Sequence, residues 1–135
     1  MFRKIALVLT LFILLLSSLV FSSSSKSYLY VSFSADNFVG IELRTYTDSY
    51  NNLFLNIGVN YIKGGIRFSS KTTNGLYLSP MVFVDYKGYL NFGLVAGWST
   101  VIQNLNGMEF FIEGGGRNIP QKPEAFVTFG ANLKF

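Results

Sequence analysis

Alternation of apolar with small or polar residues is the feature that most constrains the fold of this chain, and residues 125–135 show it best. A period of two is typical of a β-strand with one apolar and one polar face. Because the same alternation recurs after residue 26, we expect an all-β fold. The apolar positions of the last segment are Val127, Phe129, Ala131, Leu133 and Phe135.

Eight alternating segments can be delimited, each bounded by turn-forming residues. Most have roughly 8–12 residues, and a tilted strand that crosses a membrane needs roughly 9–11. Lys63-Gly64 is the predicted hairpin turn between the third and fourth segments. Pro80 has no N–H to donate, which predicts a β-bulge in the fifth segment. The glycine-rich residues 114–117 (GGGR) predict the end of the seventh segment. The segments cover residues 28–35, 38–47, 52–62, 65–72, 75–86, 88–98, 107–115 and 125–135.

Residues 1–25 have the order of a secretory signal peptide. Arg3 and Lys4 precede an apolar run that extends to Leu16, and serines follow it. The run is short of the roughly 20 residues that a spanning helix needs, which favours cleavage over an uncleaved membrane anchor. We therefore predict a signal-peptide helix over residues 1–25 and one domain over residues 26–135.

Composition excludes several classes of function. The chain has neither Cys nor His, which removes disulfides, thiolate nucleophiles, the commonest metal ligand and the commonest general base. We expect no enzymatic activity, no cofactor and no metal site. The formal net charge is +4, but two of the basic residues lie in the leader. No basic cluster with interleaved aromatics follows, so no nucleic-acid partner is expected.

Sorting each segment by parity gives two faces, one of which carries no charge. A soluble barrel would turn the apolar face inward, but the lumen of an eight-stranded barrel barely holds its own side chains. We therefore predict an antiparallel up-and-down transmembrane barrel with apolar residues outward to lipid and charges inward. Closure also satisfies every strand edge. The predicted lumen charges are Glu42, Arg44, Arg67, Lys71, Asp85, Glu109, Glu113 and Lys134.

Strand positions predict how these charges meet. A turn at Lys63-Gly64 would place Arg67 opposite Asn60 and Lys71 opposite Asn56, and Arg44 would also face Asn56. The seventh strand lies across the barrel from the third, so Glu109 and Glu113 should reach across the lumen toward Arg44, Arg67 and Lys71. Buried charges are tolerated when paired. A charge-lined conducting path is one interpretation, and the narrow lumen favours the other, a structural ion-pair plug.

Four aromatic residues fall at the predicted ends of strands, where interfacial belts of amphipathic rings are expected. Tyr61 and Tyr86 would lie at one rim, and Trp98 and Phe135 at the other.

A signal peptide, eight alternating strands and a last strand ending in Phe135 together resemble the small outer-membrane β-barrels of diderm bacteria, of the outer membrane protein A transmembrane domain and outer membrane protein X type. The resemblance implies location in the bacterial cell outer membrane, surrounded by its lipid. In that family the terminal aromatic strand is the sorting signal read by the barrel assembly machinery. Val127, Phe129, Ala131, Leu133 and Phe135 match that pattern.

The connections depart from the family pattern. Asp36-Asn37, Lys63-Gly64 and the region of Lys87 predict tight turns at the rim away from the termini, where the family usually has long loops. A nine-residue stretch, 99–107, falls instead on the periplasmic side. Adhesion or receptor roles carried by loops are therefore not expected.

Three functions compete. The first is a non-enzymatic, porin-like outer-membrane barrel, structural or narrowly conductive. The second is a lipid-modifying enzyme on the same fold, but the related families use His. The third is a secreted or periplasmic lipocalin-like lipid-binding barrel, which would have the same strand count and turn its apolar face inward.

Overall fold

The computed structural model describes residues 26–119 and 121–135, together with Leu7, Thr10 and Leu11. Each strand pairs antiparallel with its neighbour in sequence, and the last pairs with the first, so the sheet closes into a barrel. The predicted all-β, eight-stranded antiparallel barrel is confirmed. The strands are β1 (Lys26–Ser34), β2 (Phe38–Tyr46), β3 (Asn52–Gly58), β4 (Tyr61–Ser69), β5 (Leu76–Asp85), β6 (Leu90–Ile102), β7 (Met108–Ile119) and β8 (Glu124–Lys134).

The predicted signal-peptide helix lies outside the described residues, except for the three leader residues named above. Within the described part of the chain, no helix is long and apolar enough to cross a membrane.

The two ends of the barrel are called here the near rim, where β1 begins and β8 ends, and the far rim. All connections are short. Those at the near rim are residues 47–51, 70–75 and 103–107, and two of them contain 3₁₀ turns, Lys71–Thr73 and Gln103–Leu105. Those at the far rim include residues 35–37, 59–60 and 86–89.

The turn between β3 and β4 lies at residues 59–60, so the prediction of a turn at Lys63-Gly64 is wrong. Lys63 instead pairs with Asn56, and Arg67 pairs with Asn52. The glycines of this region serve close packing, because a Cβ on Gly65 would lie 2.3 Å from the Pro80 carbonyl oxygen. Glycine at this point indicates the approach of a neighbouring strand and not a chain reversal.

Strands β6 and β7 are longer than predicted. β6 continues to Ile102, so four residues of the expected nine-residue connection at 99–107 are strand. β7 continues to Ile119, and residues 114–117 lie within it instead of ending it. The register between these strands shifts near Gly93, opposite Asn118, which has a positive φ of 59°. The bulge of this barrel is therefore in β7.

Pro80 lies in β5 without a bulge, so that prediction is wrong. The register is unbroken on both sides of it, since Gly65 pairs with Met81 and Phe68 with Leu78. The Ser79 hydroxyl donates to the carbonyl of Ile66 at 2.8 Å. This side chain supplies a hydrogen bond beside the position where proline cannot donate one.

The wall of the barrel has an apolar outside and a polar inside. Large apolar side chains on every strand are exposed to the outside, among them Phe33, Ile41, Ile57, Phe68, Leu78, Leu94, Ile112 and Phe129. Polar and charged side chains are buried in the lumen, among them Glu42, Arg44, Asn56, Lys63, Arg67, Glu113, Thr128 and Asn132. A smaller apolar cluster shares the lumen and consists of Phe54, Met81, Phe83 and Val95.

Candidate functional site

The centre of the lumen is occupied by a charge network, defined here as Glu42, Arg44, Arg67, Glu109 and Glu113. Glu42 and Arg44 are two residues apart on β2, so both side chains point to the same face of the strand. Glu42 accepts from Arg44 Nε at 2.9 Å and from its terminal nitrogen at 2.6 Å. It also accepts from Arg67 at 3.1 Å and from the Asn56 amide at 3.1 Å. Side chains of three strands thus converge on one carboxylate.

Arg44 joins the two sides of the lumen. Its two terminal nitrogens donate to the two carboxylate oxygens of Glu109 on β7, each at 3.0 Å. This is the parallel fork geometry that makes guanidinium–carboxylate pairs strong and specific. Asn132 donates to Glu109 at 2.8 Å, and the guanidinium of Arg44 lies 4.3 Å from the ring centre of Tyr30. The predicted contact across the lumen is present for this pair.

Arg67 lies between aromatic rings and a third carboxylate. Its guanidinium carbon is 4.4 Å from the ring centre of Phe54 and 5.3 Å from that of Tyr77. A terminal nitrogen lies 3.7 Å from Glu113, and the Tyr77 hydroxyl donates to the same carboxylate oxygen at 2.6 Å. Aromatic faces favour a cation at this distance, so these rings help to hold Arg67 in the lumen.

The network contains three carboxylates and two guanidiniums. Glu113 is 2% exposed, and its Oε2 atom has no hydrogen-bond partner. Arg67 Nε and Asn132 Oδ1 are also buried without a partner in the described part of the chain. Most buried polar atoms in proteins are paired, so Glu113 and Arg67 are both incompletely satisfied members of the network.

Three of the predicted lumen charges lie outside the central network. Lys71 is exposed in a 3₁₀ turn at the near rim, because β4 ends at Ser69 once its turn moves earlier in the chain. Asp85 ends β5 at the far rim, where it accepts from the backbone N–H groups of Lys87 and Tyr89. Lys134 is exposed at the near rim, with its ammonium group 3.5 Å from the ring centre of Tyr28.

A second group of polar side chains lies at the far rim and was not predicted. This far-rim cluster consists of Asp36, Tyr61, Lys63 and Thr128. Asp36, in the turn between β1 and β2, accepts from Thr128 at 2.7 Å and from the Tyr61 hydroxyl, and it lies 3.5 Å from the ammonium of Lys63. Burial raises the pKa of Asp36, but Lys63 and the Thr128 hydrogen bond outweigh it and hold the pKa below its ordinary value.

Asn37 connects the far-rim cluster to the central network. Its amide donates to Asn56 Oδ1 at 3.2 Å and to the Tyr61 carbonyl at 3.0 Å. Its oxygen accepts from the backbone N–H groups of Asn60 and Tyr61 at 2.9 and 3.1 Å. Asn56 in turn donates to Glu42. One side chain therefore ties the β1–β2 turn to the β3–β4 turn and to the centre of the lumen.

The predicted interfacial aromatics separate into two groups. Tyr61 points into the lumen and stacks edge-on with Phe83, so its assignment to a rim belt is wrong. It starts β4 instead of ending β3, which reverses its face. Tyr86, Trp98 and Phe135 are exposed on the outside, and Trp98 Nε1 donates to the Asn74 carbonyl at 3.1 Å.

The C-terminal strand keeps the predicted alternation. Val127, Phe129 and Phe135 are exposed on the outer wall, while Ala131 and Leu133 are half-buried there. β8 closes the barrel by pairing with both β7 and β1, and the N–H of Phe135 donates to the Leu29 carbonyl at 2.9 Å. The role of this strand as an assembly signal stays a prediction.

Chemically, this lumen is built for ion pairing. In the described residues, no group of three or more His, Cys, Asp or Glu side chains is arranged to hold a metal ion. The guanidinium–carboxylate bridges fix the distance between opposite walls of the barrel. No protein-family model, curated protein or solved structure matches this chain.

Proposed function

We propose that this chain is a non-enzymatic integral outer-membrane β-barrel, structural or narrowly conductive, with an ion-paired lumen. The observation that carries the proposal is the polarity of the wall. Leu94, Ile112 and Phe129 are about half exposed or more on the outside, while Glu42 and Arg44 are each 1% exposed inside. This is the reverse of the polarity that a water-soluble barrel requires.

The size of the outer apolar surface supports a lipid environment. Soluble monomers rarely expose contiguous apolar patches larger than a few hundred Å². Here exposed apolar side chains cover every strand, and the barrel has no open sheet edge. A closed barrel leaves no backbone group unpaired toward hydrocarbon, which is the condition for crossing a bilayer with strands.

Exposed aromatic residues near both rims agree with a bilayer between them. Tyr86 and Tyr89 lie at the far rim, and Tyr50, Trp98 and Phe135 lie toward the near rim. Amphipathic rings of this kind favour the interface between hydrocarbon and headgroups.

The central network favours a structural role over a wide channel. Arg44 bridges Glu42 and Glu109 across the lumen, and Arg67 fills the space between Phe54 and Tyr77. The lipocalin-like alternative would need an apolar binding cavity, whereas this lumen buries several charged side chains. Any conduction would therefore follow a narrow polar path beside the ion pairs.

Fractionation and gel mobility test the proposal together. The full chain should stay with bacterial outer membranes through a high-salt wash, require detergent for extraction, and change its gel mobility after heating, as folded membrane barrels do. Recovery in the soluble fraction without detergent would contradict it and favour the lipocalin-like alternative.

A pair of outer-wall variants gives a finer test. Leu94→Arg introduces a charge in the middle of the wall, where a lipid bilayer should oppose it by about 2–4 kcal/mol. Tyr89→Arg introduces the same charge at the far rim, where the cost should fall to about 0–1 kcal/mol. The difference should appear in the free energy of unfolding measured in lipid vesicles. Equal costs at the two positions would argue against a bilayer around this wall.

A further inference from the structure

The β1–β2 turn covers part of the far end of the lumen. Asp36 contacts Thr128 on β8 and Lys63 on β4, so its side chain extends across the mouth between two strands that are not neighbours. The side chain of Asp36 is 11% exposed, and Asn37 is 2% exposed. By contrast, the β5–β6 turn at the same rim presents Tyr86 and Tyr89 to the outside.

The same turn has an unfavourable backbone conformation at its end. Phe38 has a φ of +53°, in the left-handed region that bulky side chains rarely adopt. Its ring is 63% exposed, so burial of the ring does not offset this cost. The contacts made by Asp36 and Asn37 are then what holds the turn in its inward position, and such strain is often found where a segment has two states.

We propose that the β1–β2 turn is a latch over the far mouth of the lumen, held closed by the Asp36 carboxylate together with the Asn37 side chain. Loss of the Asp36 contacts lets Phe38 relax to a negative φ and lets the turn swing outward. Water and small solutes then reach the lumen from the far rim as far as the central network. This inference rests on the proposed membrane barrel and assigns a way to regulate access to its lumen.

The central network stays in place when the latch opens and would still limit conductance. The rate at which a reagent reaches the lumen from the far rim is therefore a more direct measure of the latch than conductance is. The chain has no cysteine, so one introduced thiol gives a unique probe. Ser32 is suitable, since it is 4% exposed, points into the lumen on β1 and lies two positions before the end of that strand. Ser32→Cys changes little in size.

The experiment compares the rate at which a membrane-impermeant methanethiosulfonate labels Ser32→Cys in vesicle-reconstituted full chain. Asp36→Ala should raise this rate at least about tenfold. Asp48→Ala is the matched control, because the hydrogen bonds of Asp48 within the described part of the chain go to Tyr50 and Asn51 in a near-rim turn. It should leave the rate unchanged. Phe38→Gly should slow labelling in the Asp36→Ala background, since glycine removes the cost of the closed turn.

Equal labelling rates in the Asp36→Ala and Asp48→Ala proteins would overturn the latch. If Asp36→Ala does not fold into a heat-modifiable barrel, Asp36→Asn decides the question, because it keeps the size of the side chain and one acceptor oxygen and loses the charge. Asp36→Asn should then raise the rate by a smaller factor, and an unchanged rate would again overturn the latch. Failure of the unmodified chain to associate with membranes would instead count against the proposed function.

Discussion

The central network and the far-rim cluster both pair buried acids with cations, but they are built differently. In the centre, Glu42 receives four hydrogen bonds from side chains of β2, β3 and β4. At the far rim, Asp36 lies on a turn and its cation, Lys63, is 3.5 Å away. Strands in a closed sheet cannot move singly, whereas a turn can. The comparison suggests that the first group sets the shape of the barrel and the second controls its end.

The largest effect should follow from removing the central acceptor. Glu42→Gln removes the one carboxylate that accepts from both buried guanidiniums. Arg44 keeps Glu109, but Arg67 keeps only Glu113, at 3.7 Å. We expect a loss of about 3–5 kcal/mol in the free energy of unfolding, because Arg67 loses its hydrogen-bonded carboxylate and its charge stays buried. Urea unfolding in lipid vesicles measures it.

A smaller loss of unfolding free energy from Glu42→Gln would contradict the proposed difference between the central network and the far-rim cluster. If the free energy of unfolding fell by no more than it does for an exposed acid such as Asp48→Ala, the network would contribute no more than a surface pair. The heat-modifiable gel shift of both variants serves as the control that the barrel still forms.

An intermediate effect is expected at the far rim. Asp36→Asn keeps an acceptor for the Thr128 hydroxyl but loses the attraction of Lys63, which should cost about 1.5–3 kcal/mol, the range for hydrogen bonds to charged groups. The same unfolding assay applies. A loss equal to that of Glu42→Gln would mean that the turn is as rigidly coupled to the barrel as the strands are.

The sequence predicts the barrel and its two faces, because period-two alternation depends only on which side of a strand meets which environment. It also predicts that Glu109 reaches across the lumen toward Arg44, since strand order fixes which walls face each other. It does not locate the β3–β4 turn, because Lys63-Gly64 suits a hairpin turn and Gly65 serves close packing against Pro80 instead. That shift brings Lys63 into the lumen and leaves Lys71 outside.

The far-rim cluster could not have been predicted from local pattern. Asp36 and Asn37 are ordinary turn residues in the sequence, and only the closed barrel shows that their side chains bend inward. Thr128 is 92 positions away from Asp36 along the chain. The sequence gives no sign of the positive φ at Phe38, because this residue begins the second alternating segment like any other strand residue.

Acid should affect the far rim in a defined direction. The folded-state pKa of Asp36 is below its ordinary value of 3.8, with Lys63 and Tyr61 as the titratable groups that face it. Its stabilising contribution is therefore complete above the ordinary pKa and is lost as the pH falls through the lower folded value. The unfolding free energies of the unmodified chain and of Asp36→Asn should differ at pH 6, and the difference should shrink as the pH falls below the ordinary pKa of 3.8. A difference that grows on acidification would reverse the sign and contradict this account.

The smallest effect is expected from Glu113→Gln. Glu113 is as deeply buried as Glu42, so the two variants compare carboxylates of equal burial. Its Oε2 atom has no partner, and it is the third carboxylate beside two guanidiniums. The glutamine oxygen can still accept from Tyr77, while the excess negative charge disappears. We expect the free energy of unfolding to change by less than about 1 kcal/mol. A loss of unfolding free energy as large as that of Glu42→Gln would mean that Arg67 depends on the Glu113 charge at 3.7 Å. The number of donors around a carboxylate would then not decide how much it stabilises the barrel.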